Sequence, residues 1–92
     1  MIINFKCPET QALFETGDSR RWRSFLNVAT RKLAMLHAAT ELRDLRSPPG
    51  NRLEALQGNR AGQYSIRIND QFRICFEWTE SGPINVEIVD YH

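Results

Sequence analysis

Two cysteines in 92 residues, Cys7 and Cys75, are too few and too far apart to frame a disulfide-stapled domain. Two small buried thiols in a reducing cytosol are the expectation instead. No apolar run reaches the roughly 18 residues that a membrane-spanning helix needs. The start, MIINFKC, has no charged stretch leading into a long apolar one, so export behind a cleaved signal is not expected. The expected location is the cytoplasm. No CxxC, HExxH or EF-hand spacing occurs, and no GxGxxG or P-loop, so neither a metal nor a cofactor is expected. Serine and threonine nucleophiles lack a His–Asp pair at a credible position, apart from Asp90 and His92 near the end. His37 sits among apolar neighbours in a helix-patterned stretch and reads as structural. Trp22 and Trp78 read as core or partner contacts. Repeats, linkers and low-complexity stretches are also missing, so residues 1–92 read as one domain.

What is present is an ordinary globular composition, 41% hydrophobic and 25% charged. The net charge of +1 conceals a segregation. Residues 19–69 hold ten basic groups against Glu41, Asp44 and Glu54, a local charge of +7, while residues 70–92 set Arg73 against five carboxylates. Ten of the twelve cations are arginine, which favours bidentate phosphate contacts and stacking. A basic block of this kind attracts nucleic acid; a solvated helix face gives the same pattern.

Local signals divide the chain in two. IINF is a short strand candidate, Cys7-Pro8 a helix start, and Gly17 the matching stop. From Trp22 to Leu45, Leu26, Ala29, Leu33 and Leu36 recur at three and four spacing, one buried helix face. A single rod over that span would be roughly 35 Å long, against a radius of gyration of about 12 Å for such a domain. A break near Ala39-Thr40 is therefore expected, with ELRDL as a separate turn. Beyond Ser47-Pro48-Pro49-Gly50 the period changes to two. Tyr64, Ile66 and Ile68 alternate with polar residues, as do Phe72, Ile74, Phe76 and Trp78, and then Ile84, Val86 and Ile88. Turns at Asn69-Asp70 and Glu80–Pro83 make these an antiparallel meander. The fold class is α+β: an N-terminal strand, two helices, then the meander, with the helices on one sheet face.

Alternation also defines the opposite face. It would carry Arg67, Arg73 and Tyr91, together with Asn85 and Glu87, with Asp90 and His92 at its edge. The loop NRLEALQGNRAGQ adds Arg52 and Arg60. A solvated face with cross-strand pairs such as Arg73 with Glu87 is one reading. The other is acid–base cleavage of a phosphodiester, for which an arginine, a phenol and an imidazole suffice. The 2′-hydroxyl must lose a proton, the equatorial oxygens need fixed positive charge, and the 5′-oxygen must be protonated as it leaves.

The combination NRLEALQGNRAGQYSIRINDQFRICFEW, followed by VEIVDYH and preceded by LHAATELRDLRSPPG, resembles the HigB branch of the RelE-type toxins of bacterial toxin–antitoxin pairs. The likeness runs from about Phe5 to His92. Its specific parts are L-x-G-x-R-x-G-x-x-S-I-R, Q-x-R-I-x-F and the final DYH. The resemblance implies a metal-independent endoribonuclease that enters the ribosomal A site and cuts the mRNA codon there, inhibiting translation. It implies a helix-turn-helix antitoxin of HigA type and a toxin–antitoxin hetero-oligomer. It gives Arg73 the role of stabilising the phosphate, and Asp90, Tyr91 and His92 those of orienting groups and transferring protons. Arg52, Arg60, Arg67, Gln71, Arg20, Arg21 and Arg23 are the expected RNA and ribosome contacts.

The chain departs from the family pattern in its loop, where relatives carry a histidine and a lysine and this sequence has Glu54 and Gln57. Gln71 stands where relatives have asparagine. Loss of one charge-stabilising donor costs about 10²–10³ in rate at an oxyanion-type site, so a weaker toxin or a rearranged loop is expected, with Arg52 or Arg60 compensating. Two other readings come from different classes. One is a non-catalytic toxin like the ParE relatives, which bind DNA gyrase and lack the DYH trio. The other is a regulatory module whose basic block docks an acidic partner.

Overall fold

The computed structural model describes residues 1–90. Proline at its first position starts α1 (Pro8–Thr16), and Gly17 closes it in the left-handed conformation with its N–H on the Leu13 carbonyl. A loop and a 3₁₀ turn, Arg23–Phe25, lead into α2 (Leu26–Ala38). Trp22, expected to open that helix, lies buried in front of it. Ala39 adopts an extended backbone and stops α2, and Leu42–Arg46 follows as a separate 3₁₀ turn. The break thus falls where molecular size demanded one, and the radius of gyration is 11.9 Å.

The sheet contains β1 (Glu54–Ala55), β2 (Gln63–Arg67), β3 (Phe72–Thr79) and β4 (Gly82–Asp90), antiparallel and in chain order. Ala29, Leu33 and Leu36 of α2 and Leu13 of α1 pack with Ile66, Ile74, Phe76, Val86 and Ile88 into the core. Two departures from the sequence reading concern this sheet. The IINF segment is extended but makes only a single bridge, Phe5 with Val86, and runs parallel to β4. The fourth strand comes instead from β1 in the long loop. Along the outer edge of β4, Ile3 donates to Pro83, Lys6 to Val86, and the Ile88 N–H to the buried Thr10 hydroxyl. These bonds cover an edge that would otherwise be open for pairing. Gly82 permits the close approach: its φ is +132°, and a Cβ there would lie 2.3 Å from the Met1 carbonyl oxygen.

A bulge interrupts the alternation of β4. Cys75 pairs with Glu87 but Glu77 pairs with Ile84, and Asn85 absorbs the extra residue at φ +54°. Ile84 therefore shares a face with Glu77 and Glu87, opposite to Val86 and Ile88. His37 has a structural place. Its Nδ1 accepts the Ile2 N–H at 3.1 Å, and its ring lies 5.1 Å from that of Phe14. Among the described residues no helix is long and apolar enough to cross a membrane.

Candidate active site

The face of the sheet away from the helices is built in columns by the strand register. One column is Glu54, Ser65, Cys75 and Glu87; the next is Arg67, Arg73 and Val89. Residues directly opposite in adjacent strands project on the same side, so Arg67 and Arg73 stand together, in agreement with the alternation. Arg73 is half-buried and held from two sides. Its Nε donates to the Ser65 hydroxyl at 2.7 Å and its Nη2 to the Arg52 carbonyl at 2.7 Å. Ser65 itself is fully buried. The guanidinium is fixed along its length, and an oriented cation is what a phosphoryl group needs.

The Arg52 carbonyl is presented by an unusual piece of chain. Pro49–Asn51 forms a 3₁₀ turn, and Arg52 ends it in the left-handed region at φ +46°. Beneath lies Asn51, a fully buried amide. Its nitrogen donates to the carbonyls of Leu45, at 3.1 Å, and Ser47, at 3.4 Å, while its oxygen accepts a bond from Lys32 of α2. Burial, with Arg31 and Arg67 nearby, lowers the Lys32 ammonium below the usual lysine range. Lys32 thus lies within electrostatic reach of Arg67, and is a cation that the sequence candidates omit. Asn51 is absent from them as well, because Ser-Pro-Pro-Gly-Asn carries only turn signals. Asn51→Ala would strand the buried Leu45 carbonyl and take the acceptor from the partly exposed Lys32 ammonium, and a buried group left unpaired costs about 1–3 kcal/mol. A drop in the urea midpoint matching at least one such group is the expected result. An unchanged midpoint would mean that the loop is not held there.

The other candidates divide. Arg67 pairs with Asp70 across the β2–β3 turn. Arg60, on the 3₁₀ turn Gly58–Arg60, bonds Gln63 at 3.0 Å and Glu87 at 3.2 Å, and Lys6 adds a second cation to Glu87 at 3.7 Å. Glu87, which a solvated face would pair with Arg73, is instead engaged by Arg60 and Lys6, and the register puts Cys75 opposite Glu87 and Val89 opposite Arg73. Arg60 is already engaged, which limits it as a substitute for the cations absent at Glu54 and Gln57. Burial, with Glu87 alongside, raises the Cys75 thiol above its ordinary value despite Arg60, Arg73 and Lys6; it is no reactive thiolate.

Asp90 sits opposite Phe72, one register step from Arg73, and accepts a bond from Gln71 Nε2 at 2.9 Å. It leaves the sheet on the helix side, at the rim, so two candidates meet there beside the arginine column. Phe72 packs on Phe25 with ring centroids 4.9 Å apart, bringing the start of α2 to the same end of the sheet. Arg20, Arg21 and Arg23 precede that helix and are exposed. Arg21 pairs with Glu9 at 2.7 Å and lies 5.0 Å above the Trp22 ring. Tyr91 and His92, the remaining candidates, lie outside the described residues.

Two helices against this antiparallel sheet form the fold of small bacterial toxins. The YoeB/ParE toxin from Agrobacterium tumefaciens superposes with a TM-score of 0.57 over 99% of this chain and 98% of its own, at 19% identity. Sequence comparison is more specific. A model of the RelE-like toxin of type II toxin-antitoxin system HigB matches residues 4–92, and the chain belongs to that family. It is 42% identical to Toxin HigB-1 of Vibrio cholerae over 92% of each chain. An uncharacterized protein of Haemophilus influenzae is also 42% identical, over 86% of this chain and 79% of its own.

Proposed function

We propose that this toxin is a ribosome-dependent endoribonuclease that cuts mRNA in the A site of the small ribosomal subunit. A HigA-type helix-turn-helix antitoxin neutralises it. The observation that carries the reading is the seating of Arg73, clamped by a buried hydroxyl and a backbone carbonyl beside the Gln71–Asp90 pair. Cleavage needs no metal in this scheme. The 2′-oxygen loses its proton to a base and bonds to phosphorus, Arg73 takes the charge growing on the equatorial oxygens, and the P–O5′ bond breaks as the leaving oxygen is protonated. His92 supplies that proton, and Tyr91 orients the nucleotide. Asp90 positions the imidazole or accepts the 2′-hydroxyl proton. Arg52, Arg60 and Arg67 line the RNA path.

Toeprinting on translating ribosomes is the test. Cuts within the A-site codon support the proposal. Growth arrest without such cuts, accompanied by loss of gyrase supercoiling, would replace it with the ParE-like reading.

Ribosome binding should also weaken steeply with salt, because neutralised phosphates release counterions. Reversing Arg20, Arg23 and Arg21 together should lower both affinity and the salt slope, by about 0.7 for each phosphate of single-stranded RNA that is no longer neutralised. Arg21, already paired with Glu9, should contribute least. An unchanged slope would assign all three to solvent or to the antitoxin.

A further inference from the structure

We propose that a cleft beside β1 receives an extended acidic segment of the antitoxin. This rests on membership of a toxin–antitoxin family and not on the ribonuclease proposal. The cleft has a volume of about 400 Å³ and is lined by Leu42, Arg43, Arg46, Leu53, Ala55 and Tyr64. It lies between the 3₁₀ turn Leu42–Arg46 and the end of the sheet. The Ala55–Tyr64 pair continues across the sheet to Phe76 on the helix side. The cleft therefore opens on the face opposite Arg73, at the edge opposite β4.

Backbone geometry favours a peptide. The Leu56 N–H donates to the Gln63 carbonyl at 2.8 Å, which makes 56 and 63 a hydrogen-bonded pair. Bonded and non-bonded pairs alternate in an antiparallel ladder, so Ala55 and Tyr64 form a non-bonded pair. The N–H and C=O of Ala55 then point away from β2. Since β1 is the last strand in the sheet order, both face an open edge. An added strand takes affinity from such main-chain groups and selectivity from pockets for alternate side chains. Leu42, Leu53 and Tyr64 supply an apolar pocket next to them.

Charge sets the sign of the occupant. Arg46 has no ion pair among the described residues, and Arg43 has only the exposed Glu41 at 3.0 Å. The turn that carries both is already ordered. The Asp44 carboxylate accepts bonds from the N–H groups of Glu41 and Thr40 and from the Thr40 hydroxyl, at 3.0 to 3.1 Å. Those bonds, the Glu41 amide first, hold its carboxyl below the ordinary aspartate range. An incoming strand with carboxylates flanking apolar residues would meet Arg43 and Arg46 on a rim that need not reorganise. RNA would place phosphates on the arginines but offers no regular alternation of main-chain donors and acceptors to match the Ala55 N–H and C=O.

The test is an NMR titration of the full-length ¹⁵N-labelled toxin with a short peptide alternating valine and glutamate. A valine–lysine peptide and an oligouridylate serve as comparisons. Shifts should cluster on Leu42, Arg46, Leu53 and Tyr64, and exchange of the Ala55 amide should slow. Arg46→Glu should weaken peptide binding about tenfold or more, the scale of one charge-assisted hydrogen bond, with A-site cleavage unchanged. Failure of the glutamate peptide to bind, shifts elsewhere, or unaltered Ala55 exchange would overturn the proposal. Preferential filling of the cleft by oligouridylate would overturn it in favour of an RNA surface. None of these outcomes bears on Arg73, so the ribonuclease reading stands or falls separately.

Discussion

Arg73→Ala should abolish growth arrest at matched expression and lower single-turnover cleavage on purified ribosomes by about 10²–10³, the usual cost of one charge-stabilising donor. The protein should remain folded. Arg73 donates to Ser65 and to the Arg52 carbonyl, and leaving the buried Ser65 hydroxyl unpaired costs about 1–3 kcal/mol. Domains of this size are stable by roughly 5–15 kcal/mol, so unfolding cannot account for the loss of rate. A urea titration run beside the kinetics separates the two effects. Arg73→Lys refines the test, because lysine keeps the charge but cannot bond Ser65 and Arg52 at once as the planar fork does. It should recover part of the rate. Near wild-type cleavage by Arg73→Ala would remove this residue from the chemistry and leave the clamp as ordinary sheet packing.

The parts of this protein that can be read from sequence are those decided by neighbours in the chain. Pro8 and Gly17 bound α1 because one presets a helical φ and the other adopts a left-handed one. The break at Ala39 follows from a length argument that needs no contacts. Arg67 and Arg73 fall on one face by counting in twos across a short turn. Counting in twos fails at Asn85, where the bulge inserts a residue and turns Ile84 to the other side. No local signal marks that position, since asparagine tolerates a left-handed backbone wherever pairing demands it. β1 is invisible for a related reason. Two residues carry no period, and Glu54–Ala55 is a strand only because β2 lies beside it.

The same division runs through the site. The cation is legible, but its clamp is not. Ser65 has the parity of a surface residue, yet it is buried under Arg73. Asn51 reads as a turn residue, although its amide joins α2 to the loop that presents the Arg52 carbonyl. Both connect parts of the chain that meet only in the folded molecule. Period and propensity describe one element at a time, so they find an outward-facing cation before the residues that hold it.

His92→Gln should lower cleavage by about 10²–10⁴, the usual contribution of a positioned general acid or base, while binding to the antitoxin and folding persist. The core cluster of the described residues runs from Ile2 to Ile88 and closes without it. Asp90 supplies the argument for the role. Its carboxylate is fixed at the sheet end by Gln71 and lies two residues before the histidine in sequence. An acid must be protonated to act, so wild-type cleavage should fall as pH rises through the imidazole pKa, about 6.5 when unperturbed. In His92→Gln the alkaline limb should vanish along with the rate. A purely structural role for His92 would reduce cleavage without altering the shape of the profile. Cleavage of A-site mRNA by His92→Gln at near wild-type rate would show that the departing 5′-oxygen takes its proton from another group, and the acid would have to be sought in Tyr91.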